Sequence, residues 1–358
     1  MPCIVADDLT PEQVKAFRVA DNKTAELAEW DIELLEQELA ELTELEFDMQ
    51  QFGFDFETEI DTQEVIQDDF NLDETLKKIE EPITKYGDIY KLGKHRLMCG
   101  DATSVEDLNR LLEHKKVDLV LTDPPYNMAY EGAGNTPTEQ RKKNKILNDN
   151  MSDTDFEIFL SKVYSTMFEG MKDGASCYVF YKELGKGVFI TAMEKGGLTF
   201  KQELIWVKNQ IVLGGSKYQS MYEPCLFGCK GKSVANWYVG RKERSVIESI
   251  NDMNEFELRN AILDLMSTLE TDIVREQKTL KNDLHPTMKP IKLLARFIRN
   301  SSKADDSILD LFGGSGSTLI ACEQMNRNCS MLELDPKYCD VIIKRWEAFT
   351  GSTAELIN

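Results

Sequence analysis

No stretch of the chain approaches the ~20 consecutive apolar residues that a membrane span requires, and no basic-then-apolar signal segment opens its 358 residues. Membrane insertion is therefore not expected, and a cytoplasmic location is. Histidine is scarce: His95, His114 and His285 are too scattered for a metal site or a hydrolytic triad. The eight cysteines lack zinc-like or disulfide-like spacing, and Cys225 and Cys229 have no partner pair elsewhere, so reduced thiols and no metal are expected. Basic excess, a common mark of nucleic-acid binders, is missing too: the formal net charge is -21.

That charge is unevenly spread. Residues 1–83 hold 25 Asp/Glu and 5 Lys/Arg, which leaves 38 acids and 37 bases in residues 84–358. The remainder is thus near neutral, with local basic runs, and such asymmetry marks two regions with different jobs. Residues 1–45 read as a helical appendage: Leu9-Thr10-Pro11-Glu12 is an N-cap with proline just inside, and Leu27, Trp30, Leu34, Leu35, Leu39 and Leu42 recur at helical spacing. Residues 46–83 read as an acidic linker, partly disordered, with Pro82 and Gly87 punctuating its end.

From residue 84 to 358 the texture is of strands alternating with helices. Strands are expected at 95–99, 117–122, 175–181, 202–208, 224–228, 307–312 and 329–334, and helices at 104–115, 153–171, 184–195, 289–300, 316–326 and 336–349. This alternation predicts an α/β fold: a doubly wound, mostly parallel, Rossmann-like sheet with ligands at the C-terminal strand edges. Residues 230–284 break the rhythm with a basic, aromatic-containing stretch (Lys230, Lys232, Trp237, Tyr238, Arg241, Lys242, Arg244) and an amphipathic helix near 254–270.

Two loops stand out. Asp310-Leu311-Phe312-Gly313-Gly314-Ser315-Gly316 joins an apolar strand to a helix, where glycines permit a tight turn and close ligand approach, and a helix N-terminus favours negative groups. A structural turn is an equal reading of that loop alone. Glu333, ending the next strand roughly 20 residues on, can accept both hydroxyls of a ribose and favours the cofactor reading. The Lys-Ser/Thr ending of a triphosphatase loop is absent, which disfavours ATP. The second loop, Asp123-Pro124-Pro125-Tyr126, follows strand 117–122. Two prolines fix the backbone and remove two donors. Asp123 beside the Pro124 carbonyl suits a planar NH2 group, and Tyr126 offers a ring for stacking a base; the other reading is a proline-rich turn.

Together these residues resemble the amino-methyltransferases of DNA, in which Asp-Pro-Pro-Tyr is the signature and Phe312-Gly313-Gly314-Ser315-Gly316 is similar to the cofactor loop. The catalytic loop precedes the cofactor loop here, which resembles the permuted beta class. His285-Pro286-Thr287-Met288-Lys289-Pro290 and Gly100-Asp101-Ala102 are similar to two further motifs of that class, so the likeness spans about residues 84–348.

The resemblance implies an S-adenosylmethionine-dependent enzyme that methylates N6 of an adenine flipped out of double-stranded DNA. Asp310 and residues Phe312, Gly313, Gly314, Ser315 and Gly316 would cradle the methionine part of the cofactor, Glu333 its ribose and Asp101 its adenine amino group, with Thr287 and Lys289 lining the methionine end. Asp123 and the Pro124 carbonyl would accept the two N–H bonds of the target amine, and the methyl group would pass by direct in-line displacement. Phosphate contacts are expected from Arg141, Lys142 and Lys143, where a solvated loop is an equal reading, and from Lys230, Lys232, Arg241, Lys242 and Arg244 in the variable region, about residues 209–284, where this class places target recognition. N4-cytosine methylation is the nearest alternative; aspartate as the first loop residue leans towards adenine. A catalytically silent DNA-binding or segregation-type protein is the non-enzymatic alternative. Cys225 is read as a buried core residue, which argues against ring-carbon methylation.

Residues 4–42, through Asp8-Leu9-Thr10 and Arg18-Val19-Ala20-Asp21-Asn22-Lys23, resemble the C-terminal part of a ParB-type nuclease-like domain of the sort fused to methyltransferases in phage and mobile elements. That likeness implies a remnant or docking element; a plain acidic helical appendage reads equally well. A homodimer and a cognate restriction enzyme both stay open as partners.

Overall fold

The computed structural model describes residues 63–127, 147, 149–212, 220–232, 234, 236–239, 243–248, 274–275 and 288–357. The ParB-like stretch, Arg141, Lys142, Lys143, Arg241, Lys242, His285 and Thr287 lie outside these residues.

The described strands form one mixed sheet in the order β11-β1-β2-β10-β9-β3-β4-β6-β5-β7-β8. Its parallel centre consists of β2 (His95–Cys99), β10 (Asn328–Glu333), β9 (Ser307–Asp310), β3 (Val117–Thr122) and β4 (Met171–Phe180). β3 is buried at all six positions, the pattern of a strand covered on both faces. β1 (Ile89–Leu92) and β11 (Glu355–Leu356) extend one edge antiparallel. On the other side β6 (Ser220–Lys230) and β5 (Leu198–Val212) pair antiparallel, followed by the short β7 (Val246–Glu248) and β8 (Val274–Arg275).

The helices cover the two faces. α1 (Leu72–Lys78) comes first, then α2 (Val105–Leu112), capped by Ser104 through a bond from the Asp107 amide. α3 (Asp153–Gly170) is capped by Ser152, and α4 (Lys186–Lys195) follows a short 3-10 turn. α5 (Ile291–Ser301), α6 (Ser317–Gln324) and α7 (Pro336–Thr350) close the chain, the last with Pro336 in its first turn and left-handed Gly351 at its end. One apolar core holds Leu119, Leu121, Phe297 and Leu319; a second, on the opposite face, holds Val120, Leu160, Met167 and Leu309. The α/β, doubly wound expectation is met.

The winding reverses between β9 and β3. From β9 the chain crosses through α6 to β10 on one side, and from β3 through α3 to β4 on the other. Two neighbouring strands whose connections diverge leave a crevice above their carboxyl ends, where ligands of such sheets bind. The Asp310 and Asp123 loops leave the sheet at this point.

Residues 63–83, expected as part of a loose acidic linker, pack on the domain as a strap. Gln67 accepts the Ile291 amide at 2.9 Å, and Ile66 exchanges two bonds with the Gln324 side chain. Asp68 forms a two-pronged ion pair with Arg345 at 2.7 and 2.8 Å. α1 is capped by Asn71, and Leu72 and Ile79 join Met288 and Val341 in an apolar cluster. One of the acids that suggested solvation, Asp68, has a buried partner 277 residues away in sequence, whereas Glu64, Asp69, Glu74, Glu80 and Glu81 are exposed.

Candidate active site

The site is built where β3 and β9 end side by side. The Thr122 hydroxyl donates to Asp310 Oδ1 at 2.8 Å and accepts the Leu311 amide at 3.2 Å, tying the start of one loop to the start of the other.

On the β9 side, Asp310 is buried and also accepts the Phe312 amide at 3.1 Å. Gly313 donates to the Leu332 carbonyl at 2.8 Å, and a Cβ on it would fall 2.8 Å from Met331 Sδ and 2.9 Å from Ile342 Cδ1. Only glycine lets the loop lie so close to β10 and α7. Gly314 and Gly316 have φ of 51° and 82°, and Gly316 opens α6. Glu333, at the end of β10, reaches back: Oε2 accepts the Gly314 amide at 2.7 Å and Oε1 the Asp335 amide at 2.9 Å. Burial raises both Asp310 and Glu333 to a pKa of about 7. Ser315 and Ser317 are held by Arg345, whose Nη1 donates to the Ser315 carbonyl and to both hydroxyls at 2.9–3.2 Å. Asp101 follows β2, next to the end of β10, where the Gly100 amide meets the Glu333 carbonyl at 3.0 Å; its carboxylate closes its own turn on Thr103.

On the β3 side, Asp123 accepts the Tyr126 hydroxyl and the Lys289 ammonium. The same hydroxyl and the same ammonium reach Glu223, on β6, at 2.6 and 2.9 Å, and Lys208 on β5 pairs with Glu223 at 2.6 Å. Lys289 also sits over the Phe180 ring at 4.7 Å. Four charges of balanced sign thus share a pocket. Its side chains are about nine-tenths buried at Lys289 and Glu223 but 29% exposed at Asp123, which makes Asp123 the mouth.

Burial raises the Asp123 pKa, against the pull of Lys289. For Glu223, burial pushes the same way, but Lys289 and Lys208 overcome it and hold its pKa well down. Burial lowers Lys289, and the two carboxylates more than offset that, so it stays cationic. Burial, then the flanking carboxylates, keep the Tyr126 phenol neutral.

Several expected residues come together and others do not. Asp123, Tyr126 and Lys289 share one pocket, in which Lys289 is paired with the catalytic-loop carboxylate. Glu223 and Lys208 were missed. A lone acid heading the apolar run Pro224-Cys225-Leu226-Phe227 was the available signal for the first. Lys230 lies at the opposite edge of the sheet from Glu223, because β6 runs antiparallel to β4; its ammonium binds the Phe168 and Met171 carbonyls at 2.9 and 3.1 Å. Exposed Lys232 follows it there. Arg244 lies two residues before the start of β7, whose neighbour β5 carries Lys208. Cys225 is buried, with its thiol pKa pushed well up, as expected of a core residue. His95 is structural: Nδ1 accepts the Cys329 amide and Nε2 meets Glu323, both at 2.9 Å.

A glycine loop and an Asp-Pro-Pro-Tyr loop, side by side at the reversal of a doubly wound sheet, define a class of group-transfer enzyme that works on an amino group. The chain belongs to the DNA methylase family of N6/N4 methyltransferases, whose model matches residues 117–345. It is similar to the type II methyltransferase M.HpaI of Haemophilus parainfluenzae, 24% identical over 260 residues that cover 72% of this chain and 76% of the relative. It is also similar to M.HindIII of Haemophilus influenzae, at 22% identity over 61% of this chain and 84% of the relative. Among solved structures it resembles the cytosine-N4-specific PvuII DNA methyltransferase, with 17% identity, 72% and 89% coverage and a TM-score of 0.49.

The protein is thus a DNA amino-methyltransferase with S-adenosylmethionine as its methyl donor. The residues present fit that cofactor: a buried carboxylate (Asp310) and a half-buried one (Glu333), neither in an ion pair among the described residues, meet a loop of backbone amides, suiting a ligand with cationic groups and ribose hydroxyls. Among the described residues, no helix is long and apolar enough to cross a membrane.

Proposed function

We propose that the chain methylates N6 of an adenine flipped out of double-stranded DNA, with Asp123, Pro124, Pro125 and Tyr126 as its catalytic loop. The observation that carries this reading is the half-open Asp123 carboxylate, beside the glycine loop, at the point where the sheet's winding reverses. The cofactor, held by Asp310, Phe312–Gly316, Glu333 and Asp101, supplies a methyl group on a sulfonium centre.

The amine of adenine is a poor nucleophile because its lone pair is conjugated into the ring. Accepting its two N–H bonds, at Asp123 and the Pro124 carbonyl, turns that lone pair out of the ring plane and towards the methyl group. Lys289 must then leave Asp123, and Glu223, at 2.9 Å, keeps it in an ion pair while it does. Tyr126 likewise retains Glu223 as acceptor and offers its ring to the base. The amine that takes up the methyl group must lose a proton, with the sulfonium as leaving group, and Asp123, its pKa raised by burial, would be a suitable acceptor. Near-attack positioning alone can supply roughly 7–11 kcal/mol. Extruding the base costs about a few kcal/mol, offset by phosphate contacts to which Arg141, Lys142, Lys143, Arg241, Lys242 and Arg244 are assigned.

Aspartate at position 123 supports adenine over cytosine. The test is transfer of labelled methyl to mixed-sequence duplex DNA followed by nucleoside analysis, with Asp123→Ala as control. Label in N6-methyladenine, lost in the variant, is the expected result. Label in N4-methylcytosine would keep the mechanism and change the base; no label despite cofactor binding would favour a silent DNA-binding protein.

A further inference from the structure

The Asp68–Arg345 pair joins the acidic strap to the glycine loop. Arg345 is 1% exposed and lies on α7. Its guanidinium is divided between two customers: Nε and Nη2 go to the Asp68 carboxylate, and Nη1 goes to the Ser315 carbonyl, the Ser315 hydroxyl and the Ser317 hydroxyl. Phe70, two residues beyond Asp68, covers the guanidinium face at 5.1 Å. A planar fork gripped on one edge by a carboxylate presents its remaining donor in a fixed direction. The strap is itself pinned on both sides of Asp68, by Gln67 on the Ile291 amide and by Leu72 in the cluster with Met288 and Val341.

We propose that Asp68 is a positioning residue for the methyl-donor site: it orients Arg345, which sets the backbone and hydroxyl of Ser315, so the acidic segment ahead of the methylase domain helps set cofactor affinity. This rests on the reading that Phe312–Gly316 holds the cofactor. Without Asp68 the buried cation keeps only the loop carbonyl and hydroxyls, and turns or draws in water to complete its bonds. Ser315 then loses its fixed place, whereas Asp123, Glu223 and Lys289 are untouched.

The test is titration of S-adenosylmethionine into the full chain by calorimetry, with steady-state kinetics, for wild type, Asp68→Ala, Asp68→Asn and Asp68→Glu. Asn71→Ala, which removes the cap of α1 without touching Arg345, is the control for general loosening of the strap. The expected result for Asp68→Ala is a Kd and KM for the cofactor raised roughly tenfold, the scale of one hydrogen bond to a charged group. kcat at saturating cofactor and KM for DNA stay within about twofold, since the catalytic pocket is intact. Asp68→Glu recovers part of the affinity. Should Asp68→Ala fail to fold, Asp68→Asn answers by the same titration. Wild-type affinity in the folded variants, a loss confined to kcat, or an equal loss in Asn71→Ala would overturn the proposal. Failure of the underlying cofactor reading shows differently: Glu333→Gln would then leave wild-type affinity unchanged.

Discussion

Cofactor binding is expected to be steeply dependent on pH between about 6 and 8, because burial raises Asp310 and Glu333 in the free protein to a pKa of about 7. Each carboxylate already accepts protein donors, Asp310 from Thr122 and Phe312, Glu333 from Gly314 and Asp335. A ribose hydroxyl or a cationic group favours the ionised form further, so the ligand selects the deprotonated site. The sign follows: binding releases protons, and affinity falls as pH drops below the free-protein value. With one carboxylate required in ionised form, the association constant falls roughly tenfold from about pH 8 to about pH 6; with both required, it falls about a hundredfold. Folding of the cofactor-free protein responds the other way. A carboxylate whose folded pKa is raised makes the folded state the better proton binder, so Tm should decline as pH rises from about 4 to about 7. Calorimetry in two buffers of different ionisation enthalpy reads affinity and proton release together. Glu333→Gln should remove one tenfold step from the pH slope. A Kd flat between about pH 6 and 8, or binding that tightens in acid, would refute the assignment of these two carboxylates to the cofactor.

Two further outcomes follow from the geometry. Glu223→Gln leaves Lys289 with Asp123 as its only carboxylate partner among the described residues, so the amine must displace an undivided ion pair; single-turnover methylation should slow by about 10- to 100-fold, with cofactor Kd unchanged. Gly313→Ala places a Cβ 2.8 Å from Met331 Sδ and 2.9 Å from Ile342 Cδ1. Such overpacking costs about 1–3 kcal/mol, so a lower Tm and weaker cofactor binding are expected, whereas Gly187→Ala, with open space around its Cβ, should leave both unchanged.

The central strands were legible because burial on both faces writes itself as continuous apolar runs: 95–99 and 117–122 are β2 and β3 as observed. β5 and β6 extend past their apolar runs because their antiparallel pairing with each other continues from Leu198↔Lys230 to Val212↔Ser220, and β4 starts ahead of its run, at Met171, beside Val117 of the parallel β3. β1 and β11 hold four and two residues, too few for a periodic signal, and exist by pairing with each other and with β2. The two loops could be read from local residue types, because a tight glycine turn and a double proline are local chemistry. Glu223 and Lys208 could not: their meaning depends on Lys289, which arrives from beyond the variable region. The strap was hidden for the same reason, as Asp68 reads as a solvated acid until Arg345 is seen against it.

The Thr122–Asp310 hydrogen bond joins the two half-sites through neighbouring strands and through nothing in the long chain segment that separates them in sequence. The alignment of methyl donor with acceptor is therefore a property of the sheet. The reaction's aim tolerates exchange or lengthening of the residues between β6 and Met288 so long as Lys289 still returns to Asp123 and Glu223. On the proposal that this segment reads the DNA target, grafting it between relatives should transfer target choice and leave the geometry around Asp123 and Asp310 where it was.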